Sequence, residues 1–291
     1  MILVTGAGGT VGTALVEQLK AQRHAFRAAY HSPPKAEKAK QAGVDAVALD
    51  FGQPGSLAPA LAGIDAVFLL GTGIRGQVER ELNVVDAARA AGVRRLVKLS
   101  SWGAADGRFL IARFHREVES AIEASGLAWT FLRPNGFMQN FLELGIASIR
   151  AIHLPAADAR ISHIDARDIA RVAARVLTTS GHEGKAYELS GPHDLSYREV
   201  AGVLSRVLGT QIRYVALTDD AARAHLLATG MPDFHVDHLI DLFRAYRDGA
   251  GAAVTFDVRS VTGRDPVSFE QFVRDHADAL RAGPMTTQEN V

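Results

Sequence analysis

Glycines at a three-residue spacing near the start of the chain form the clearest chemical pattern. Gly6, Gly9 and Gly12 follow the apolar run 2–5 as a G-x-x-G-x-x-G array. Without a Cβ the chain can turn tightly, its amides can approach a pyrophosphate, and a helix can pack closely on a strand. The anion would lie at a helix N-terminus, where unpaired N–H groups favour negative charge. The predicted contacts to the dinucleotide come from Gly6, Gly8, Gly9, Thr10, Val11 and Gly12.

The surroundings of this array decide between three interpretations. A phosphate-transferring P-loop is not favoured, because no Gly-Lys-Ser/Thr follows the glycines. A flexible turn without a ligand is the plain alternative. The position of the array at the first strand–helix junction favours dinucleotide binding.

The residues after the second apolar run indicate which dinucleotide would be bound. In NAD-binding proteins a carboxylate about 20 residues beyond the glycines holds the ribose hydroxyls. Residues 30–35 read Tyr-His-Ser-Pro-Pro-Lys, and no carboxylate precedes Glu37. A basic, hydroxyl-bearing corner suits a 2′-phosphate, so we predict NADP(H) as cofactor, held by His31, Ser32 and Lys35. The alternative is that Lys35 is a solvated helix residue.

Short apolar runs that alternate with helical patterns predict the elements that position these residues. The strand candidates are 2–5, 26–30, 46–49, 66–70, 95–99 and 128–132. Helix candidates between them include 11–22, where Val11, Leu15 and Leu19 form one stripe, and 83–91. Such alternation predicts a doubly wound parallel sheet of the Rossmann type, an α/β fold covered on both faces.

The regular alternation ends near residue 134. Later strand candidates are 186–189 and 212–215, and later helix candidates are 197–208, 219–229, 237–248 and 269–280. We predict a dinucleotide-binding core over 1–134 and, over 135–283, the remaining sheet edge with a small C-terminal α/β cap interleaved with the core. The polar, unpatterned residues 284–291 are expected to form a flexible tail.

Composition excludes several classes of protein. Lys and Arg total 32 and balance 32 Asp and Glu, so neither nucleic acid nor a membrane surface is an expected partner. The absence of cysteine excludes disulfides, thiol catalysis and Cys-type metal sites. No apolar run approaches the roughly 20 residues of a spanning helix, and no signal peptide is visible, so a cytoplasmic location is expected. A homodimer is compatible with the sequence, which does not fix the oligomeric state.

Several ordered segments carry a family resemblance. These are residues 5–12, Asp50-Phe51, 83–93, 129–134, 137–141 and 165–170. In them the chain resembles the NmrA-like, atypical short-chain dehydrogenase/reductase family, with the triphenylmethane reductase, quinone oxidoreductase and ergot-alkaloid reductase branches nearest. The resemblance implies that Asp50 and Phe51 border the adenine. It also implies that the rest of the nucleotide meets Gly71, Thr72, Gly73, Ser100, Ser101, Arg133, Pro134 and Asn135.

One feature of typical short-chain enzymes is missing. They use a Tyr-x-x-x-Lys pair in which Lys lowers the pKa of the Tyr that exchanges a proton. Aligning Glu119 with the Glu that follows this Lys in extended members places His115 at the Lys position and Ile111 at the Tyr position. The phenolic acid is absent, so sugar-nucleotide epimerases and dehydratases are not favoured.

Two functions remain open. In the first, the protein is an enzyme, an NADPH-dependent oxidoreductase that passes hydride to an electron-poor conjugated small molecule such as a quinone, dye or iminium. A cationic or quinonoid acceptor needs little simultaneous protonation, so orientation of the two reactants is the main requirement. In the second, the protein is an NmrA-like redox sensor that binds NADP(H) and a partner protein without turnover.

Candidate catalytic and substrate residues each have a structural alternative. His115 would assist proton transfer or contact the nicotinamide ribose, or it is an ordinary helix histidine. Ser101 would hydrogen-bond the acceptor, or it is a helix cap. Aromatic and flexible side chains that would line a pocket for a flat substrate, or pack in a core, are Trp102, Phe137, Met138, Phe141, Met231 and Phe234.

Metal and hydrolase chemistry are not supported. His235 and His238 have helical spacing, but no third ligand accompanies them, so no metal is predicted. No G-x-S-x-G elbow presents a nucleophile.

Overall fold

The computed structural model describes residues 1–71, 75–144 and 146–282. The described chain forms two compact units. The first comprises Met1–Pro134, Ala166–Leu189 and Asp257–Arg264, and the second comprises Asn135–Asp165, Ser190–Phe256 and 265–282. No helix in the described ranges has the length and apolarity needed to cross a membrane.

The helices and strands follow one another in the chain as predicted up to residue 134. The elements of this part are β1 (Ile2–Val4), α1 (Thr10–Ala21), β2 (Phe26–Tyr30), α2 (Pro33–Gln41), β3 (Ala46–Ala48), α3 (Pro54–Leu61), β4 (Ala66–Leu69), α4 (Gln77–Ala90), β5 (Arg95–Leu99), α5 (Leu110–Ala124) and β6 (Ala128–Pro134). The later elements are α6 (Asn140–Glu143), α7 (Ile146–Ile149), β7 (Ala151–Leu154), β8 (Arg160–Ile161), α8 (Ala166–Thr178), β9 (Lys185–Leu189), β10 (Leu195–Ser196), α9 (Tyr197–Leu208), β11 (Arg213–Ala216), α10 (Asp219–Ala228), α11 (Asp233–Arg247), α12 (Asp257–Thr262), α13 (Phe269–Asp275) and α14 (Ala277–Ala282).

The first unit is a seven-stranded parallel sheet in the order β3-β2-β1-β4-β5-β6-β9. Strand β1 lies between β2 and β4, with Ile2 paired to Phe26 on one side and Ala66 on the other. This is the point at which strand order reverses, where such sheets bind ligands at the carboxyl ends of their strands. Helices α3, α4 and α5 contribute to a shared core with alternate strand residues, and α1, α8 and α12 cover the sheet as well. The predicted doubly wound α/β fold is confirmed.

The second unit has its own core and two small sheets. Strands β7 and β11 pair in parallel, and β8 and β10 pair antiparallel. Helix α9 begins with a capping box in which Ser196 and Glu199 bond each other's backbone amides, and it ends at Gly209 in the left-handed region. Its buried face packs with Phe141, Phe272 and other apolar side chains of this unit.

Several predicted boundaries differ from the structure. Helix α4 begins at Gln77, six residues before the predicted start at 83. Its first turns bury the polar side chains of Gln77 and Glu81, so no apolar stripe marked them. Helix α11 begins at Asp233 after Pro232, earlier than the predicted 237. The helix predicted over 269–280 is divided at His276 into α13 and α14.

Candidate dinucleotide site

The turn between β1 and α1 depends on glycine at two positions. Gly6 has a φ of +61°, in the left-handed region, and a Cβ there would lie 2.9 Å from Leu70 Cγ. Gly12 is buried, and a Cβ there would overlap the carbonyl oxygen of Gly6. The turn is further held by the bond from Gly9 N to Gly6 O at 3.0 Å. The spacing of the array therefore matches a fixed backbone cradle, with glycine at the points of closest approach.

Gly9, the remaining glycine of the array, and its two neighbours leave the start of α1 open. Gly8, Gly9 and Thr10 are exposed, and a Cβ at Gly9 would meet only Gly6 O, at 3.4 Å. Gly9 is the N-cap of α1, and among the described residues no side chain caps the helix and no carboxylate occupies its first turn. The first amides of α1 and the positive end of its dipole are thus available to an anion.

A cleft runs along the carboxyl ends of the strands beside this turn. It is lined by Gly6, Ala29, His31, Leu49, Asp50, Phe51, Leu70 and Arg80. The structure thus brings together the predicted residues Gly6, His31, Asp50 and Phe51. Arg80, from the first turn of α4, belongs to the same cleft and was not predicted, because an arginine on a helix surface gives no sequence signal of its own.

The predicted 2′-phosphate corner lies at the start of α2. Ser32 is the N-cap of α2, but its side chain makes no capping bond, and Pro33 occupies the next position. His31 is exposed, and Lys35 Cδ lies 4.0 Å from the position of a Cβ on Gly8. The lysine side chain therefore extends beside the glycine turn. Ser32 and His31 lie at the same edge of the sheet, after β2.

The two residues assigned to the adenine are fixed by local bonds. Asp50 accepts from Gly52 N at 2.8 Å and from Gln53 Nε2 at 3.1 Å. The carbonyl oxygen of Phe51 accepts from Asn83 Nδ2 of α4 at 2.9 Å. The bond from Asn83 connects the loop after β3 to α4, and Asp50 and Phe51 line one side of the cleft.

A buried charged network lies behind Gly71, at the end of β4. Lys98 of β5 and Glu81 of α4 form an ion pair and are 0% and 1% exposed. Gln77 Nε2 donates to Glu81 Oε1 at 2.9 Å and lies 3.3–3.4 Å from the two ring nitrogens of His115. A Cβ on Gly71 would overlap the Glu81 carboxylate, so a larger residue there would displace this buried group. No sequence pattern marked Gln77, Glu81 or Lys98 as site residues.

His115 is therefore part of this network. Burial, together with the charge of Lys98, places the pKa of its imidazole well below the ordinary value. The ring is neutral at neutral pH, and it lies beside Gln77 rather than a carboxylate that would stabilise its charged form. Neutral imidazole is a poor general acid, which favours the structural alternative for His115 over proton transfer.

A second buried network surrounds Glu119. Its carboxylate accepts from Ser100 Oγ at 2.6 Å and from Arg133 Nε and Nη2 at 2.9 and 2.7 Å, while Arg133 Nη1 donates to Glu188 at 3.0 Å. Hydrogen bonds from Arg133 and Ser100 lower the pKa of Glu119 despite its burial, which acts in the opposite direction. Ser100 and Arg133 thus connect β5, α5, β6 and β9, and their side chains are engaged within the protein.

The remaining candidates of the first unit lie near the ends of β5 and β6. Ser101 Oγ donates to the carbonyl oxygen of Trp102 at 3.1 Å, and the N-cap of α5, the next helix, is Phe109. Trp102 is buried, and its amide donates to the carbonyl oxygen of Pro134 at 3.0 Å. Thr72 and Gly73 lie outside the described residues.

The candidates in the second unit are divided between its core and its surface layers. Asn135 is buried, and its amide nitrogen donates to Ser162 Oγ and Gly251 O at 2.9 and 2.8 Å. Met138 and Phe141 are buried in the core of this unit, as the core-packing alternative expected. Half-buried Phe137 pairs with Ile164 in a β-bridge, Met231 packs beside α10 and α11, and Phe234 packs on the His238 ring at 4.4 Å. The predicted residues of this unit therefore do not share one environment; they are Asn135, Phe137, Met138, Phe141, Met231 and Phe234.

In the described ranges, no group of three or more His, Asp or Glu side chains could hold a metal.

The sheet and the glycine turn define a dinucleotide-binding protein of the Rossmann class. The chain matches the NmrA-like family over residues 1–289 and belongs to that family, which confirms the resemblance found in the sequence. The NAD(P)H azoreductase of Xenophilus azovorans is 37% identical over 285 residues, which cover 97% of this chain and 100% of the relative.

Solved structures with the same fold include two complexes with nucleotide. The triphenylmethane reductase of Citrobacter sp. with NADP(H) superposes with a TM-score of 0.86 at 25% identity, covering 94% of this chain and 99% of that one. The NADPH-dependent quinone oxidoreductase of Escherichia coli with NADPH gives a TM-score of 0.86 at 27% identity, with coverage of 94% and 99%.

Proposed function

We propose that this protein is an NADP(H)-dependent reductase that transfers hydride to an electron-poor conjugated small molecule of the quinone, dye or iminium type. The observation that carries the proposal is the uncapped start of α1 behind a turn in which neither Gly6 nor Gly12 has room for a Cβ. The similarity to NAD(P)H- and NADPH-dependent oxidoreductases supports the same class of reaction.

The residues of the first unit fit the cofactor. The backbone from Gly6 to Gly12 would hold the pyrophosphate, Lys35 with His31 and Ser32 the 2′-phosphate, and Asp50 with Phe51 the adenine. When bound, NADPH would supply the hydride. The chain's part is to hold the nucleotide at the strand ends so that its reactive ring has one orientation.

The proton chemistry of the site limits the substrate. The family resemblance implies that Ile111 occupies the position at which a phenolic acid is typical, and burial lowers the pKa of His115 so that its ring is neutral at neutral pH. A cationic acceptor becomes neutral when it receives hydride, and a quinone becomes a hydroquinone anion that water protonates. Such acceptors need no general acid in the protein, whereas a simple ketone does. The proposed substrates are therefore cationic or quinonoid acceptors and not simple ketones.

Stopped-flow oxidation of NADPH in the presence of quinones, triarylmethane and azo dyes, iminium compounds and simple ketones tests this proposal. We expect saturable oxidation with at least one conjugated acceptor and none with the ketones. Tight NADPH binding without oxidation by any acceptor would contradict the reductase and favour an NmrA-like sensor.

A matched pair of variants connects the result to the site. Gly9→Ala places a methyl group where the pyrophosphate would approach, and we expect it to weaken NADPH binding. Gly202→Ala, in α9, meets no atom within 4 Å and serves as the control, with kinetics equal to those of the unaltered protein.

A further inference from the structure

Arg80 lies in the cleft beside the residues assigned to the adenine. It is half-buried in the first turn of α4 and lines the same cavity as Leu49, Asp50 and Phe51. Arg80 thus brings a second fixed positive charge to this cleft, in addition to that of Lys35 at the start of α2.

A neighbouring bond fixes the helix turn that carries Arg80. Asn83, three residues later on the same face of α4, donates to the carbonyl oxygen of Phe51 at 2.9 Å. This bond holds α4 against the loop after β3. Arg80 Nη1 lies 3.1 Å from the position of a Cβ on Gly76, so the guanidinium turns back towards the N-terminal end of the helix. That end follows the carboxyl edge of the sheet, where the cleft opens.

The chemistry of the cleft favours a flat base beside Arg80. Leu49, Phe51 and Leu70 supply apolar surface to its lining. Asp50 accepts from Gly52 and Gln53, and these bonds fix its carboxylate at the edge of the cleft. A guanidinium group is planar, remains charged, and stacks on aromatic faces more readily than an ammonium group does.

We propose that Arg80 stacks on the adenine base of the bound dinucleotide. This inference rests on the proposed function, which supplies the ligand. Because every pyridine dinucleotide carries the same adenine, Arg80 contributes to the affinity for NADPH and NADH alike. Lys35, at the start of α2, would recognise the 2′-phosphate independently of Arg80.

The distinct roles of Arg80 and Lys35 are tested by binding of four ligands, NADPH, NADH, 2′,5′-ADP and 5′-ADP. Each is titrated into the unaltered protein and into variants. Arg80→Ala is expected to weaken all four by a similar factor, about 3- to 30-fold. Lys35→Ala is expected to weaken only NADPH and 2′,5′-ADP. Arg89→Ala, an exposed arginine at the other end of α4, is the control and should change none of the four.

Two further outcomes keep the test decisive. Arg80→Lys retains the charge without the plane, and we expect it to remain weakened for all four ligands. An Arg80→Ala variant that loses affinity only for the ligands with a 2′-phosphate, or for none, would overturn the inference. Failure of the unaltered protein to bind any of the four would instead contradict the proposed function. Thermal unfolding of each variant shows whether the fold is retained.

Discussion

Gly12 packs so closely on the carbonyl oxygen of Gly6 that a single methyl group on it would overlap this atom. Both partners are backbone, at the junction of β1 and α1, so neither can rotate away. Gly12→Ala is therefore expected to shift the backbone of the turn and to destabilise the first unit by about 1–3 kcal/mol. Chemical unfolding measures this, with Gly202→Ala as the control. A Gly12→Ala protein as stable as the control would show that the turn is not constrained in this way.

The buried pair of Lys98 and Glu81 should be costly to break. Both side chains are almost completely removed from solvent, so Glu81→Gln leaves an uncompensated charge on Lys98. We expect a loss of about 3–5 kcal/mol in the free energy of unfolding, as found for broken buried pairs. Adding Lys98→Met removes that charge and should restore part of the loss.

The exposed pair of Arg206 and Glu270 provides the comparison for this prediction. Glu270→Gln should have little effect, because solvent screens the pair. Equal losses for Glu81→Gln and Glu270→Gln would contradict the account of the buried network.

Stability should fall on acidification because of His163 in the core of the second unit. Burial lowers the pKa of its imidazole to about 4. Below pH 6.5 the unfolded chain binds a proton that the folded chain does not, so the free energy of unfolding decreases as the pH falls through the window from 6.5 to 4. The decrease attributable to His163 is about 3 kcal/mol.

Chemical unfolding at several pH values measures this effect. His163→Phe, which keeps a ring beside Phe141, should remove that part of the slope. The unaltered protein, unfolded in parallel at the same pH values, is the reference. An identical pH dependence in the His163→Phe protein would reject the assignment.

Catalysis should not depend on protonation of His115. Since the pKa of this imidazole is far below 6.5, the ring has the same neutral form across pH 6–8. The rate of hydride transfer to a cationic dye is expected to be constant across this range. Single-turnover oxidation of bound NADPH measures the rate. A decrease above pH 6.5 that disappears in His115→Phe would show that the imidazolium takes part.

The fold could be predicted because its signals are local. The glycine array, the β-branched strands and the stripe of Val11, Leu15 and Leu19 each specify structure within a few neighbouring residues. The first turns of α4 were missed because Gln77 and Glu81 are polar and buried. Their partners, His115 and Lys98, lie on other elements, and the sequence does not show such pairings.

Whether a signal is local in the chain also explains which site residues could be predicted from the sequence. His31 and Lys35 follow a strand directly, and their role could be proposed from order in the chain. Arg80 reaches the cleft from α4, which Asn83 joins to Phe51, and this contact is between distant segments. Conversely, Met138 and Phe141 resembled pocket residues by type, and only the packed core of the second unit shows that both are buried.

Calorimetric titration of NADPH into the unaltered protein and into Gly9→Ala tests the central claim most directly. A Cβ at Gly9 would have only one neighbour, at 3.4 Å, so the fold should be retained. The added methyl group would nevertheless cover the exposed amides at the start of α1. We expect saturable heat with the unaltered protein and at least tenfold weaker binding with Gly9→Ala at unchanged unfolding temperature. Equal binding by the two proteins, or no heat with either, would contradict it.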